Sequence, residues 1–351
     1  IMRLVKNGVF DFAFGLPGYV AAENAIFEGA DLSSLTQDIG TQRQVAEAFF
    51  PTLEKAFAEI YNAKLLMLYP FPSQTLWCNA EVNGISDLEG KKIRVYATTL
   101  GDFVEGVGGT SVTVAFSEVI PALEKGVVDC GITGTMSAYN ANWQQVATHA
   151  YTLRVGWGLA FGAMNMDKWN SMSPDQQELF NTEIAALNER MWAETATEDE
   201  VAISCITGGA CEIGEPGNMK LVEPSEADLA LRDKVATEVV LARWAERCGA
   251  ECAENWNNTV GKVLGLTATV SGIDEFLLLR AAAAAVMAGS MTLAYAAVSK
   301  RVVESRRALA FALVQSCMQL GFALGPQLGA VIVGLGPDAP DYRRPFLAAR
   351  L

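Results

Sequence analysis

A glycine-closed turn that enters a short branched strand, followed by a strand that runs into a helix, constrains this chain more than any other feature. The first block is Asp87-Leu88-Glu89-Gly90-Lys91-Lys92-Ile93-Arg94-Val95. Alternation along Ile93-Arg94-Val95 puts the two branched residues on one face and the guanidinium on the other. An arginine projecting from a strand end can clamp a carboxylate, because its planar fork donates two parallel hydrogen bonds. The second block is Val114-Ala115-Phe116-Ser117-Glu118-Val119-Ile120-Pro121-Ala122-Leu123-Glu124-Lys125-Gly126-Val127-Val128-Asp129. It reads as strand, helix and a glycine-ended cap into another strand.

The same grammar runs through the first 165 residues, where short apolar segments alternate with amphipathic ones. Strands are expected at 10–14, 65–69, 92–96, 111–114 and 127–132, helices at 42–62 and 116–125, and a returning strand at 157–165. That is the pattern of an α/β lobe with a mostly parallel sheet. A long helix follows. Ser173 is a good N-cap, Pro174 suits the first helical position, and Asp175 favours the positive end of the helix dipole. Leu179, Phe180, Ile184, Leu187, Met191 and Trp192 keep a helical stripe, and few breakers intervene before Ile203. Such a helix spans about 45 Å, more than one lobe needs. An acidic amphipathic helix at 224–249 and a segment at 256–265 close the globule.

In this order, the two blocks resemble the signature of the solute-binding proteins of TRAP transporters, the tripartite, ATP-independent uptake systems for organic acids. That signature pairs a Gly-Leu-Lys-Ile-Arg-Val-like strand with a Phe-x-Glu-Val-x-x-Ala-Leu-x-x-Gly-Val-Val-Asp-like helix. The resemblance covers about residues 5–268 and is most specific at 87–129. It implies a bilobed, periplasmic-binding-protein-like α/β fold with a long spine helix, no cofactor, and transfer of a small carboxylate to TRAP membrane permease subunits. Residues 5–14 look like the family's second strand region, so an opening β–α unit and a signal peptide are expected upstream of Ile1.

By the same resemblance Arg94 sits at the carboxylate clamp and Phe116 at the aromatic wall. Thr133 stands where many members carry a ligand-contacting asparagine. Gln74 or Thr75 stands where sialic-acid binders have a second arginine, so a sialic acid is not the expected ligand. The remaining pocket candidates are aromatics near expected strand ends: Tyr19, Trp77, Tyr96 and Trp157, with Tyr139 and Trp143 beside them. Pockets for small acids are mostly apolar with a few fixed polar groups.

Catalytic readings find no support. The single histidine, His149, has no serine or cysteine motif beside it, and no Walker loop, Gly-x-Ser-x-Gly or His-Glu-x-x-His occurs. The chain is read as a non-enzyme. Seven cysteines fit an oxidising compartment if they pair. Cys205 with Cys211, and Cys248 with Cys252, are the expected local bridges; a zinc site is the rival, weakened by the absence of tight Cys-x-x-Cys knuckles. Cys78 and Cys130 read as free thiols or buried strand residues, and Cys317 lies in an apolar run.

Charge divides the chain. The net formal charge is −14, but residues 1–270 carry 18 Lys+Arg against 35 Asp+Glu, whereas 271–351 carry 8 against 5. The acidic part is unsuited to nucleic acid. Beyond 270 the segment 276–299 is apolar apart from Arg280, and 308–336 holds no charged residue. Both are long enough to cross a bilayer of about 30 Å, and the link Lys300-Arg301-Val302-Val303-Glu304-Ser305-Arg306-Arg307 belongs on the cytoplasmic side by the positive-inside rule. Two buried helices of a soluble domain are the competing reading. Gly321-Phe322-Ala323-Leu324-Gly325-Pro326-Gln327-Leu328-Gly329 resembles the Gly-x-x-x-Gly-Pro-x-x-Gly motif in the fifth helix of major facilitator transporters. The expected organisation is a solute-binding domain at 1–270, a two-helix transmembrane segment at 271–337 that contacts lipid through 276–336, and a tail at 338–351. The expected location is the periplasm, with an inner-membrane anchor. A transporter fragment carrying an accessory soluble domain, or a chimeric reading frame, is the alternative.

Overall fold

The chain builds two sheets by moving between them more than once, and one long helix precedes the last strand. The computed structural model describes residues 1–270. The expected membrane hairpin, the 338–351 tail and Cys317 lie outside the described residues. After α1 (Met2–Lys6) and β1 (Phe12–Gly15) come tight turns at Pro17–Val20 and Ala25–Glu28. The first long helix, α2 (Ile39–Tyr61), starts where Asp38 accepts the Thr41 N–H at 2.8 Å and stops at Asn62, which adopts the left-handed conformation. It leads into β2 (Ala63–Tyr69) and β3 (Gln74–Cys78). Then follow β4 (Lys92–Val95), α3 (Thr98–Gly106), β5 (Thr110–Thr113), α4 (Val119–Glu124), β6 (Cys130–Gly134), α5 (Thr135–Asn140) and β7 (His149–Tyr151).

The return leg is β8 (Ala160–Asn165), α6 (Met166–Ser171) and α7 (Pro174–Ile206). Ser173 caps α7 through a reciprocal box with Gln176, as its sequence announced. At 33 residues α7 runs about 50 Å. The chain finishes with β9 (Lys220–Val222), α8 (Glu226–Val235), α9 (Ala242–Cys248), α10 (Ala250–Asn258) and α11 (Val260–Leu264). A π-helical segment, Ala236–Leu241, joins α8 to α9, so the helix expected at 224–249 is one continuous rod with a local change of pitch.

One sheet has the order β1-β8-β2 and is wholly antiparallel; the other has the order β5-β4-β6-β3-β7-β9. In the second, β4 is parallel to β5 and β6, and β7 is parallel to β9, but β3 runs antiparallel to both β6 and β7. The expected mostly parallel sheet is therefore a mixed one. The cause is the path of the chain. It crosses from the first sheet to the second between β2 and β3 and returns between β7 and β8, so strands re-enter in the opposite sense instead of through helical crossovers.

The second sheet buries both faces. Leu76, Cys78, Ile93, Val95, Cys130 and Ile132 join the main core, while Trp77 points the other way, into a second core with Val119, Leu123 and Trp143. Alternation thus separates Arg94 from its branched neighbours as its sequence requires. Cys78 and Cys130 are register partners across β3 and β6, with Cα atoms 3.9 Å apart, and they form a disulfide. The free-thiol expectation for these two is corrected by a pairing that only the register reveals. Cys205–Cys211 and Cys248–Cys252 are bonded as local bridges.

The C-terminal helices fix the turn that follows β1. Trp244 Nε1 donates to the Ala25 carbonyl at 2.8 Å and Trp256 Nε1 to the Gly29 carbonyl at 2.8 Å, and both indoles are fully buried. Burying such side chains stabilises by several kcal/mol each, about 3–5 kcal/mol by the cost of truncating them. A Cβ at Gly29 would sit 2.5 Å from the Phe49 ring, so only glycine lets the turn lie this close to α2. No helix among the described residues is long and apolar enough to cross a membrane.

Candidate ligand-binding site

Arg94 is 1 % exposed, on β4 beside Gly131 of β6. Its Nε donates to the Val114 carbonyl at 2.9 Å and its Nη1 to the Ile132 carbonyl at 2.8 Å. Those bonds fix the plane of the fork but leave the charge uncompensated. Among the described residues no carboxylate pairs with it. Burial pulls the guanidinium below its ordinary pKa, opposed by the Tyr19 and Tyr96 phenols. A buried cation without an anion is costly.

Aromatic rings frame this charge. The guanidinium carbon lies 5.5 Å from the Tyr96 ring centroid and 5.8 Å from that of Phe116. Phe116 begins a 3-10 turn, not the α-helix itself, and stacks on Trp143 at 5.7 Å. Trp143 fits because Gly131 has no side chain; a Cβ there would lie 2.9 Å from the indole. Tyr19 meets Tyr96 edge-on at 6.0 Å and is mostly exposed. Arg94 and Tyr96 at the end of β4, with Phe116 and Tyr19, are thus brought together from three separate segments.

The other expected residues are placed elsewhere. Trp77 lies in the core on the helical face of the sheet, its Nε1 donating to the Thr133 carbonyl at 3.1 Å. Alternation along β3 sends it inward. Thr133 is buried in β6 opposite Thr75. Trp157 lies on the return crossing, under the Arg154 guanidinium at 4.5 Å.

A small space of about 20 Å³ is lined by Tyr96, Glu28, Asp31, Ser33, Thr99 and Gly158. Arg94 does not line it; Tyr96 belongs to both regions. Asp31 accepts the Leu159 N–H at 2.8 Å and the Trp157 N–H at 3.3 Å. Burial raises its pKa against those backbone donors. Glu28 Oε1 accepts the Thr99 N–H at 2.9 Å at the start of α3, and burial pushes its carboxyl up to about 7. The Tyr96 phenol is raised well above its ordinary range by burial and then by Asp31, with Arg94 opposing. Gly158 has a positive φ, and a Cβ there would fall 2.7 Å from Gln74 Nε2 and 3.1 Å from the Tyr96 hydroxyl. Only glycine keeps this wall open.

Residues 1–238 match the family described as bacterial extracellular solute-binding protein, family 7. The chain belongs to this family. Residues 258–349 match the Major Facilitator Superfamily. Solved structures share the fold of the solute-binding part. The periplasmic ectoine-binding protein of the TeaABC TRAP transporter of Halomonas elongata aligns with a TM-score of 0.68 at 18% identity, covering 76% of this chain and 85% of that one. A TRAP periplasmic solute-binding protein from Desulfovibrio salexigens, with bound orotic acid, gives 0.67 at 17% identity, covering 74% and 83%. DctP6 of Bordetella pertussis, an extracytoplasmic solute receptor binding pyroglutamic acid, gives 0.66 at 21% identity, covering 75% and 83%. The solved structures of this fold named above are solute-binding receptors.

In this solute-binding fold the sequence left several residues of the site unmarked. Glu28 and Asp31 were the most legible of them, because they are acids inside the apolar run Ala25-Ile26-Phe27-Glu28-Gly29-Ala30-Asp31-Leu32. Arg154 and Asp199 carried no local signal; their pairing exists only in three dimensions.

Proposed function

We propose that residues 1–270 act as an extracytoplasmic receptor for a small organic carboxylate and hand it to TRAP-type permease subunits, with Arg94 as the carboxylate clamp. The observation that carries this reading is the buried, oriented guanidinium without an acidic partner among the described residues. Relatives of the same fold hold orotic acid, pyroglutamic acid or β-D-galacturonate, and each of these is a carboxylate. Tyr96 and Phe116 form the wall that orients the acid plane, and Tyr19 covers it from the solvent side. Thr133 and Trp157 act behind this wall; Trp77 supports the sheet from within.

The lobes close on ligand about the two crossings, 70–73 and 152–159, with α7 as the spine. Ligand shifts this equilibrium only by binding the closed form better. The acidic domain lies in the periplasm, and 271–337 anchors it to the inner membrane as a two-helix segment, a reading favoured by the Major Facilitator Superfamily match over 258–349.

Calorimetry on Arg94 variants tests the clamp. Arg94→Ala is expected to weaken carboxylate binding by about 2–5 kcal/mol, because a desolvated acid loses its charge-assisted partner. Arg94→Lys should restore only part of that, since an ammonium cannot form the fork. Unchanged affinity in Arg94→Ala would remove this residue from the site.

A further inference from the structure

The surroundings of Arg94 hold one positive charge and several rings. Its Nε and Nη1 are engaged by the Val114 and Ile132 carbonyls, while Nη2 donates to no group among the described residues. The segments that form the cluster, 16–21, 93–99, 110–118 and 130–136, contain a single cation, Arg94, and a single acid, the exposed Glu118. Among titratable groups only the Tyr19 and Tyr96 phenols act on the guanidinium. A ligand with two carboxylates would find a partner here for one of them and none for the other.

The rings are held in place although two of them face solvent. Phe116 is 38 % exposed and Tyr19 55 %. Phe116 stacks at 29° on the fully buried Trp143, and Tyr19 stands at 87° to Tyr96. Each exposed ring is therefore backed by another and keeps open surface beside the clamp. The guanidinium carbon lies 5.5 Å from the Tyr96 centroid and 5.8 Å from that of Phe116. When an arginine bonds both oxygens of a carboxylate, the two groups are coplanar. A flat body attached to that carboxyl continues the guanidinium plane past these rings. A saturated ring of equal size is puckered and loses the preferred geometries of aromatic contact.

From this arrangement we infer that the ligand is a monocarboxylate whose carboxyl sits directly on a flat, unsaturated ring, with Phe116 and Tyr19 as the residues that select for it. The inference rests on the Arg94 clamp reading and narrows it from any small acid to one class. Phe116, fixed by Trp143, meets the ring of the ligand; Tyr19 reaches it from a separate segment.

Calorimetry on the full chain tests it with three acids. Benzoate is set against cyclohexanecarboxylate, which keeps the size and charge but not the flat ring. It is also set against terephthalate, which keeps the ring and adds a second carboxylate. Benzoate is expected to bind about fivefold or more tighter than either. Phe116→Leu and Tyr19→Leu should each shrink the advantage over cyclohexanecarboxylate, whereas Arg94→Lys should weaken both acids alike and leave that ratio standing. Equal or tighter binding of cyclohexanecarboxylate or terephthalate overturns the inference and leaves the clamp intact, as does an advantage unchanged in both leucine variants. If none of the three binds at about 10 mM, the inference falls; lactate or succinate binding that is lost in Arg94→Ala would still keep the clamp.

Discussion

Arg154 Nη2 lies 3.2 Å from Asp199 Oδ2, joining the return crossing between the sheets to the C-terminal part of the spine helix. Asp199 also accepts the Ser73 N–H at 2.9 Å and the Thr135 hydroxyl at 2.7 Å, and it bonds the Ser73 hydroxyl. Ser73 lies on the outgoing crossing, so one carboxylate gathers both crossings and α7. Backbone bonds between the crossings reinforce the arrangement: Phe71 N–H to the Trp157 carbonyl at 3.0 Å, and Gln74 N–H to that of Gly156 at 2.9 Å. Asp199 is thus one acceptor point shared by both crossings and α7.

Removing that point should loosen the fold. Asp199→Ala leaves the Ser73 N–H, the Thr135 hydroxyl and the Arg154 guanidinium without their shared acceptor. The expected loss is about 1–3 kcal/mol of unfolding free energy, with Asp199→Asn losing less because it can still accept. Urea denaturation measures both. Equal stability in Asp199→Ala would show that the crossings are held by their backbone bonds alone.

Glu28 gives the fold a pH dependence of definite sign. Its folded pKa, pushed up to about 7 from an ordinary 4.5, exceeds the unfolded value. The stability it contributes is therefore complete below the ordinary carboxylate range and is lost as pH rises through 7. Burial is the cause; the Thr99 N–H, Arg247 and the Thr99 hydroxyl oppose it, and Asp102 adds to it. The stability of the wild type relative to Glu28→Gln should fall by about 3 kcal/mol between about pH 5 and about pH 9. A pH-independent difference in chemical denaturation would place the ionised Glu28 in a better-solvated setting than its burial implies.

The disulfides should differ in what they contribute. Cys78–Cys130 joins residues 52 apart, whereas Cys205–Cys211 joins residues 6 apart. By loop entropy the first restricts the unfolded chain by about 4 kcal/mol and the second by about 2 kcal/mol. Replacing Cys78 and Cys130 together by alanine should therefore lower stability more than replacing Cys205 and Cys211. Non-reduced peptide mapping should recover Cys78–Cys130, Cys205–Cys211 and Cys248–Cys252, and alkylation of Cys78 and Cys130 in protein from an oxidising compartment would contradict the first.

Local rules made some of this fold legible and left the rest out of reach. The box at Ser173 and Gln176, the alternation around Arg94 and the glycine at 126 are written within a few residues, so the spine helix, the clamp strand and the helix after Phe116 could be read directly. Pairing sense is set by where the chain crosses between sheets, and no local pattern records it; hence the mixed sheet and the Cys78–Cys130 bridge emerged only from the register. Within the site, Arg94, Tyr96, Phe116 and Tyr19 were legible as types and converge in space. Trp77 was read as a pocket residue because its strand was not itself foreseen, and the face it takes follows from that strand.

Residues 271–351 call for a separate test. Residues 308–336 lack any charge, and the link at 300–307 holds four basic residues against one acid, which sets the expected topology: link in the cytoplasm, both ends outside. The acidic binding domain then lies on the extracytoplasmic side, where a receptor meets its solute. The full chain should require detergent, whereas a chain ending at Val270 should remain soluble without it. Cysteine residues introduced into the link should react with a membrane-impermeant reagent only after the inner membrane is opened. Labelling in intact spheroplasts would reverse the topology, and a full chain that stays monodisperse without detergent would overturn the membrane assignment.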